Sequence, residues 1–346
     1  MTGVYVVDLP ISKSIANRLL VRSALRGDVF PELPANNLPE DVSLLYNILT
    51  TNQSSINVGN CGTAMRFLTA YYAQKEGTKV QIDGNERMRK RPIGTLVEAL
   101  RKMGADICYL GEDGYPPLRI CGRNLHGTSL EIPHTESTQF ISALLLIKDC
   151  VDGELLLKAD MTSPYIAMTE HILSSLSVSL ERDWSSAAFW YEYVALHPDA
   201  TILLKGLTNS TIQGDAVVSE LFKPFGVNTT EVNEGILLSK NSQIQITNSL
   251  TINFSDCPDL YPAVYLTATR LGVRLHCLGT ERLAYKESNR LTAFDNLTTD
   301  SRYYPSFHDH RIAMALLMAD IATDDLDCIA KSYPDFVKQW SGCRRK

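Results

Sequence analysis

The sequence predicts an α/β protein in which a strand–helix–strand–hairpin unit recurs, and three observations carry that reading. Apolar runs of strand length alternate with stretches in which apolar residues return every three or four positions. Glycines punctuate these runs at matching intervals: Gly84, Gly104 and Gly114 are separated by 20 and 10 residues, Gly206, Gly226 and Gly235 by 20 and 9. A chain of 346 residues is also long enough to bury two substantial cores.

Residues 4–7 predict the first strand. Pro10 then disfavours helix before it, and the Ser12 and Ser14 hydroxyls suit an N-cap, so a helix is expected whose first turns carry Lys13, Ser14 and Arg18. Arg18 follows Ser14 by four positions, on one face, where a guanidinium can hold a carboxylate bidentately while the hydroxyl adds a bond. Residues 59–66 form a Gly-rich turn running into an apolar helix, with Asn60, Gly62, Thr63 and Arg66 at an anion-favouring helix start. The spacing is neither that of a P-loop nor that of a dinucleotide fingerprint, since no Lys follows the glycines and the spaced third glycine is missing.

Residues 87–91 place four cations in five positions ahead of an amphipathic helix marked by Leu96, Val97, Leu100 and Met103. Pro92 falls near that helix's first turn, and Arg91 beside it is the cation expected to turn inward. Further copies of the unit are expected at 168–180, where Ser177 replaces the glycine, and at Gly279, followed by a helix around Leu291, Ala293 and Phe294.

The net charge is -6, from 33 Lys and Arg against 39 Asp and Glu, so the clustered cations read as a local trap for a small polyanion. Nucleic acid is excluded as a partner because the basic residues alternate with hydroxyl and acid groups instead of aromatic platforms. No pair among the eight cysteines has C-x-x-C spacing, and the seven histidines are scattered, with His308 and His310 flanking an aspartate alone. No metal and no cofactor are therefore expected. No apolar run approaches the roughly 18 residues of a membrane span and nothing resembles a signal peptide, so a reduced cytoplasm is expected.

Read in order, Lys13-Ser14 with Arg18, residues 59–66, residues 87–94, Ser137-Thr138-Gln139, Thr162 with Tyr165, Pro258-Asp259, Lys286-Glu287 with Arg290, Asp309-His310-Arg311, and Ala330-Lys331 with Pro334-Asp335 resemble the motifs of the EPSP synthase (3-phosphoshikimate 1-carboxyvinyltransferase) family. The nine motifs run almost from end to end. The resemblance implies two similar globular domains, each of three repeated βαβαββ-type units with helices inside and sheets outside (an inside-out α/β barrel), and an active site in the interdomain cleft. The expected halves are 13–180 and 181–346, the latter joined by 1–12, with the crossover near 181–184. The chain is shorter than typical members, with abbreviated stretches at Leu180-Glu181, at Asn296-Leu297 and around 26–41. Either loops are lost there or the sequence omits loop residues, and the intact motifs on both sides favour the second.

The reaction implied moves the carboxyvinyl group of phosphoenolpyruvate to the 5-hydroxyl of shikimate 3-phosphate and releases phosphate, on the route to chorismate and the aromatic amino acids. Two anions meeting in one site need cations around them. The family match puts Ser14 and Arg18 on the shikimate carboxylate, Ser137, Thr138, Thr162 and Lys286 on its phosphate, and Tyr165 and Gln139 against its ring. Arg91, Arg290, Arg311 and Lys331 would grip phosphoenolpyruvate, with Lys13 and Gln139 reaching it as well and the Gly62 backbone near its phosphate. Asn60 and Arg66 would shape the turn, and Asp309 would fix its neighbours. His310 is open between an acid and an orienting hydrogen bond.

Lys13, Asp259 and Glu287 are the proton-transfer candidates, with the assignment of each step left open. Glyphosate, the family's phosphoenolpyruvate-competitive inhibitor, is expected to inhibit. A monomer is expected, since two halves complete the site in one chain. Departures from the pattern are Ile11 in a glycine position, Phe67 in a proline position, Asn289 for an aspartate and Arg282 for an asparagine. Two rival readings fit less well. The related transferase acting on UDP-N-acetylglucosamine carries a reactive cysteine in a mobile loop, whereas Cys108 and Cys121 have strand contexts. A non-catalytic descendant is opposed by the intact Lys13, Asp259, Glu287 and Lys331.

Overall fold

The computed structural model describes residues 3–132, 137–210, 212–241 and 243–345. The chain divides into two compact units, one made of 1–13, 34–40 and 180–346, the other of 14–33 and 41–179. In chain order the first elements are β1 (Tyr5–Asp8) and α1 (Lys13–Arg26), and the division falls at the start of α1, between Lys13 and Ser14. The segment 34–40 counts with the C-terminal unit, where the Asn37 amide donates to Asp8 O and its side-chain oxygen accepts from Asp335 N.

The 14–179 unit continues with α2 (Glu40–Thr50), β2 (Ser55–Asn57), α3 (Gly62–Gln74), β3 (Lys79–Asp83), α4 (Gly94–Lys102), β4 (Asp106–Tyr109), β5 (Leu118–Cys121), β6 (Ser129–Glu131), α5 (Gln139–Leu146), β7 (Leu156–Lys158) and α6 (Pro164–Ser174). One sheet has the order β2-β3-β5-β4, with β2 parallel to β3 and the β4–β5 hairpin antiparallel; β6 and β7 form a separate parallel pair. The α3 helix is buried from Gly62 to Ala73 except at Thr63, and α5 from Phe140 to Leu146, while β3 alternates buried and exposed. A helix apolar on every side belongs in a core and a strand of period two on its skin, so this unit has helices inside and sheets outside.

The 180–346 unit repeats the plan with α7 (Trp184–Leu196), β8 (Thr201–Lys205), α8 (Val218–Leu221), β9 (Val227–Val232), β10 (Gly235–Lys240), β11 (Ser249–Asn253), α9 (Tyr261–Arg270), β12 (Arg274–Leu278), α10 (His310–Met318) and α11 (Phe336–Arg344). Its sheets are β1-β8-β10-β9 and the parallel pair β11-β12. Helices α7, α9 and α10 pack on one another around a core that includes Trp184, Trp190, Phe254 and Phe336. The crossover is pinned where Ile11 bridges Arg182 antiparallel, Ser12 N donates to Glu181 O and Asp183 N donates to Pro10 O. The Ser12 hydroxyl, expected as a cap, is instead buried without a hydrogen-bond partner among the described residues.

The glycine-spaced unit is present twice in full, as β3-α4-β4-β5 and β8-α8-β9-β10, and Gly104, Gly206 and Gly226 adopt the positive φ that their turns require. The two further copies are partial. After α6 no hairpin follows, and the helix expected around Leu291, Ala293 and Phe294 is a run of turns. The Asn289 side chain accepts from Leu291 N, and Asp295 N and Leu297 N reach back only three residues. A segment rich in Asn, Thr and Asp satisfies its own backbone locally and so competes with helix. Among the described residues no helix is long and apolar enough to cross a membrane.

Candidate active site

In the C-terminal unit one carboxylate, Asp259, is surrounded by cations. It sits on the 3-10 turn Pro258–Leu260, which leads directly into α9. It accepts from Lys286 Nζ at 3.2 Å, Arg290 Nη1 at 3.0 Å and Arg311 Nη2 at 3.0 Å. Burial by itself would raise this carboxyl, but Arg311, Lys286 and Arg290 together outweigh it and hold it well below the usual carboxylate range. Burial lowers Lys286 against the pull of Asp259.

Arg290 is the hub of the cluster. It is fully buried, and besides Asp259 it donates Nε and Nη2 to Asp309 at 2.8 and 3.0 Å and Nη2 to Glu287 at 3.0 Å. Burial would lower it, yet Asp309, Glu287 and Asp259 raise it above the ordinary arginine value. Asp309 caps α10, accepting from Arg311 N, and also takes the Ser288 hydroxyl. Glu287 pairs through its other oxygen with Lys331 at 3.4 Å, on the 3-10 turn Asp327–Lys331.

His310 is buried with neither ring nitrogen hydrogen-bonded among the described residues, and burial, then Lys13, pushes its pKa well below the imidazole range. Its imidazole is therefore uncharged near neutrality. Lys13 stands at the head of α1 and acts electrostatically on His310 and Asp183.

Beneath this cluster lie two acids that the motif reading did not single out. Asp183 caps α7 and takes the Ser186 N–H and hydroxyl at 2.8 and 2.6 Å, and Asp215 takes the Ser185 hydroxyl. Burial first, then Asp259, pushes Asp215 up to about 7. Asp183 with Ser186 three residues on is a readable capping signature. Asp215 meets Ser185 only through the tertiary fold, and no local pattern announces it.

The 14–179 unit holds the remaining predicted residues in two groups. Ser14 and Arg18 share the first turns of α1. Arg18 is buried and donates to Thr169 Oγ1 at 2.7 Å, Ser14 O at 2.9 Å, Tyr165 O at 3.1 Å and Ser142 Oγ at 3.2 Å, with Phe67 beneath its guanidinium at 5.4 Å. Burial lowers its pKa to about 10, so it stays charged at neutrality. Ser142 and Thr169 were not singled out from sequence; both lie on helices whose mates become neighbours only on folding.

The second group surrounds the start of α3. Arg91 is buried and donates to Asn60 O at 3.3 Å, and a Cβ on Gly62 would lie 2.5 Å from its Nη2. Arg66 ties the same turn together through Gly62 O at 3.2 Å and Pro92 O at 3.1 Å. Gln139 donates its side-chain amide to Thr63 Oγ1 at 2.8 Å and its backbone N–H to Ser137 Oγ at 3.2 Å, with Thr138 between them at the cap of α5. Thr162 donates its N–H and hydroxyl to Asp160 at 3.0 and 2.6 Å.

The comparisons with known proteins agree. The family model for EPSP synthase (3-phosphoshikimate 1-carboxyvinyltransferase) matches residues 6–183 and 177–298. A 3-phosphoshikimate 1-carboxyvinyltransferase of Bacteroides fragilis is 34% identical over 396 residues, covering 98% of this chain and 94% of that protein. One of Methanospirillum hungatei is 27% identical, covering 97% and 94%. The match is longer than the chain's 346 residues, so the relatives carry segments that this chain lacks. The solved EPSP synthase of Acinetobacter baumannii shares the fold, with a TM-score of 0.70 at 21% identity over 98% of this chain and 95% of that one. This chain belongs to the EPSP synthase family.

Proposed function

We propose that this protein transfers the carboxyvinyl group of phosphoenolpyruvate to the 5-hydroxyl of shikimate 3-phosphate, giving 5-enolpyruvylshikimate 3-phosphate and phosphate in the shikimate pathway. The observation that carries the mechanism is the threefold cation lock on Asp259 by Lys286, Arg290 and Arg311. A carboxylate held by three cations is a weak base. Anionic substrates compete for the same cations, shikimate 3-phosphate for Lys286 and phosphoenolpyruvate for Arg290 and Arg311, so filling the site releases Asp259 and raises its basicity where it is needed.

Asp259 then takes the 5-hydroxyl proton as that oxygen attacks C2 of phosphoenolpyruvate, while Glu287, which takes up a proton as the substrates draw Arg290 and Lys331 away, delivers it to the methylene carbon. The C–O bond of the tetrahedral adduct breaks, phosphate leaves with the proton held by Asp259, and the methyl group returns a proton to Glu287 as the double bond re-forms. Lys13 and Lys331 offset negative charge through both steps. Ser14 and Arg18 take the shikimate carboxylate, and Ser137, Thr138 and Thr162 its phosphate, with Gln139 and Tyr165 at the ring. Arg91, held beside Gly62, takes phosphoenolpyruvate. The protein acts as a monomer, because both sets of groups lie on one chain.

Phosphate release is the test, with each substrate omitted in turn and Glu287→Gln as control. Release that requires both substrates and is lost in the variant is expected. No release, with either substrate still raising the melting temperature, would leave a binding protein on the same fold.

A further inference from the structure

Residues 306–309 form a turn closed by a hydrogen bond from Asp309 N to Ser306 O, and its two central residues, Phe307 and His308, both have φ of 56°. Two positive φ values in succession are the pattern of a type I′ turn, where Asn-Gly is favoured because side chains crowd the backbone. Neither Phe nor His suits it. Strain persists only where the surroundings hold it, and here two neighbouring carboxylates, Asp324 foremost, do so. Asp324 Oδ1 accepts Ser306 N at 2.8 Å, Ser306 Oγ at 2.7 Å and Asp325 N at 2.9 Å. Asp325 completes the grip by taking His308 Nδ1 at 2.6 Å and Cys328 N at 3.2 Å.

The two strands of chain so joined lead to different substrate-facing cations. The turn delivers Asp309, the cap of α10, and with it Arg311. Asp325 lies two residues before, and Cys328 within, the 3-10 turn Asp327–Lys331. A parallel bridge between Tyr303 and Ala322 brings the two stretches side by side.

We propose that Asp324 is a positioning residue that latches the strained turn and thereby sets Arg311 and Lys331 relative to each other for phosphoenolpyruvate. The reading of the reaction given above underlies the kinetic half of this inference. Bonds from Ser306 foremost hold the Asp324 carboxyl down at about 2, so the latch stays charged across any ordinary assay range.

Asp324→Ala, Asp324→Asn, Ser306→Ala and the double variant Asp324→Ala with His308→Gly form the test. Tyr191→Phe, which removes a hydrogen bond to Thr229 elsewhere in the unit, serves as a destabilised control. Asp324→Ala is expected to raise the KM for phosphoenolpyruvate about tenfold with the KM for shikimate 3-phosphate unchanged, and to speed exchange of the Asp309 amide by about the same factor. Asparagine, which keeps a neutral acceptor, should fall between. Glycine at 308 carries no crowding at positive φ and should restore both readouts in the double variant.

Equal rises in both KM values, a rise of the same size in the control, or no rescue by glycine would overturn the proposal. Should Asp324→Ala fail to fold, Asp324→Asn and Ser306→Ala decide by the same split. If the wild type turns over no substrate, the reaction reading fails, while amide exchange and its glycine rescue still decide whether the latch exists.

Discussion

Asp259 is the residue at which charge, burial and chemistry meet. In the free protein Arg311, Lys286 and Arg290 hold it ionised well below the usual carboxylate range. On the mechanism proposed above, its activity as a base is lost as pH falls through a pKa that is depressed in the free protein and rises when substrates draw the cations away. The acid limb of kcat, which reports the filled site, should therefore lie at higher pH than the acid limb of kcat/KM corrected for substrate ionisation, which reports the empty one. A separation of about one unit would correspond to roughly 1.4 kcal/mol of cation–carboxylate interaction transferred to substrate. Coincident limbs would mean that the lock does not open on binding. Lys286, Glu287, Arg290, Asp309 and Arg311 were legible because they fall within short stretches whose local order carries the chemistry. Asp215 and Ser142 were not, because their partners, Ser185 on α7 and Arg18 and Thr169 on α1 and α6, are brought to them only by helix packing.

Helix α7 shows what an element adds that a residue list does not. Every position from Trp184 to Ala195 is buried, the mark of a core helix, so an acidic residue among them stands out. Glu192 is that residue: it is 0% exposed, and among the described residues neither carboxylate oxygen has a hydrogen-bond partner. Burial pushes its pKa well above the usual value, so the folded protein holds it protonated where the unfolded chain ionises. The folded state then binds more protons, and stability falls as pH rises above the unfolded value of about 4.3 towards the raised folded one. Glu192→Met removes the unsatisfied acid at similar volume and should stabilise by about 1–3 kcal/mol at pH 8. It should also flatten the decline of Tm with pH. A variant no more stable than wild type, with the same slope, would show that the acid is satisfied in solution by a partner such as bound water. By contrast, the Leu291 stretch carries helical spacing yet forms turns, because Asn289 and its Thr and Asp neighbours supply local hydrogen bonds that spacing alone does not weigh.

At the scale of the whole molecule the glycine spacing showed the repeat, and the structure shows where the repeat is cut. In the complete copies a parallel pair is continued by an antiparallel hairpin, giving β2-β3-β5-β4 and β1-β8-β10-β9. In the partial ones the pair stands alone, as β6-β7 and β11-β12, and exposed leucines mark the strands where the hairpin would follow: Leu156 at 49% in β7 and Leu278 at 54% in β12. Both cuts fall near stretches that read as abbreviated, after α6 and near Asn296. A strand paired on both sides opens only with its neighbours, whereas one paired on a single side can fray alone, and two-stranded sheets are marginal without support. Amide exchange should therefore rank the strands by their place in the sheet: β8 and β3, each between two partners, protected about tenfold or more beyond β12 and β7. The comparison within each unit matters, because global unfolding of a unit sets one ceiling for all its strands. Protection of β12 equal to that of β8 would mean that packing of α9 against the pair already supplies the stability that the hairpin gives elsewhere, and that the fold tolerates losing the hairpin at little cost.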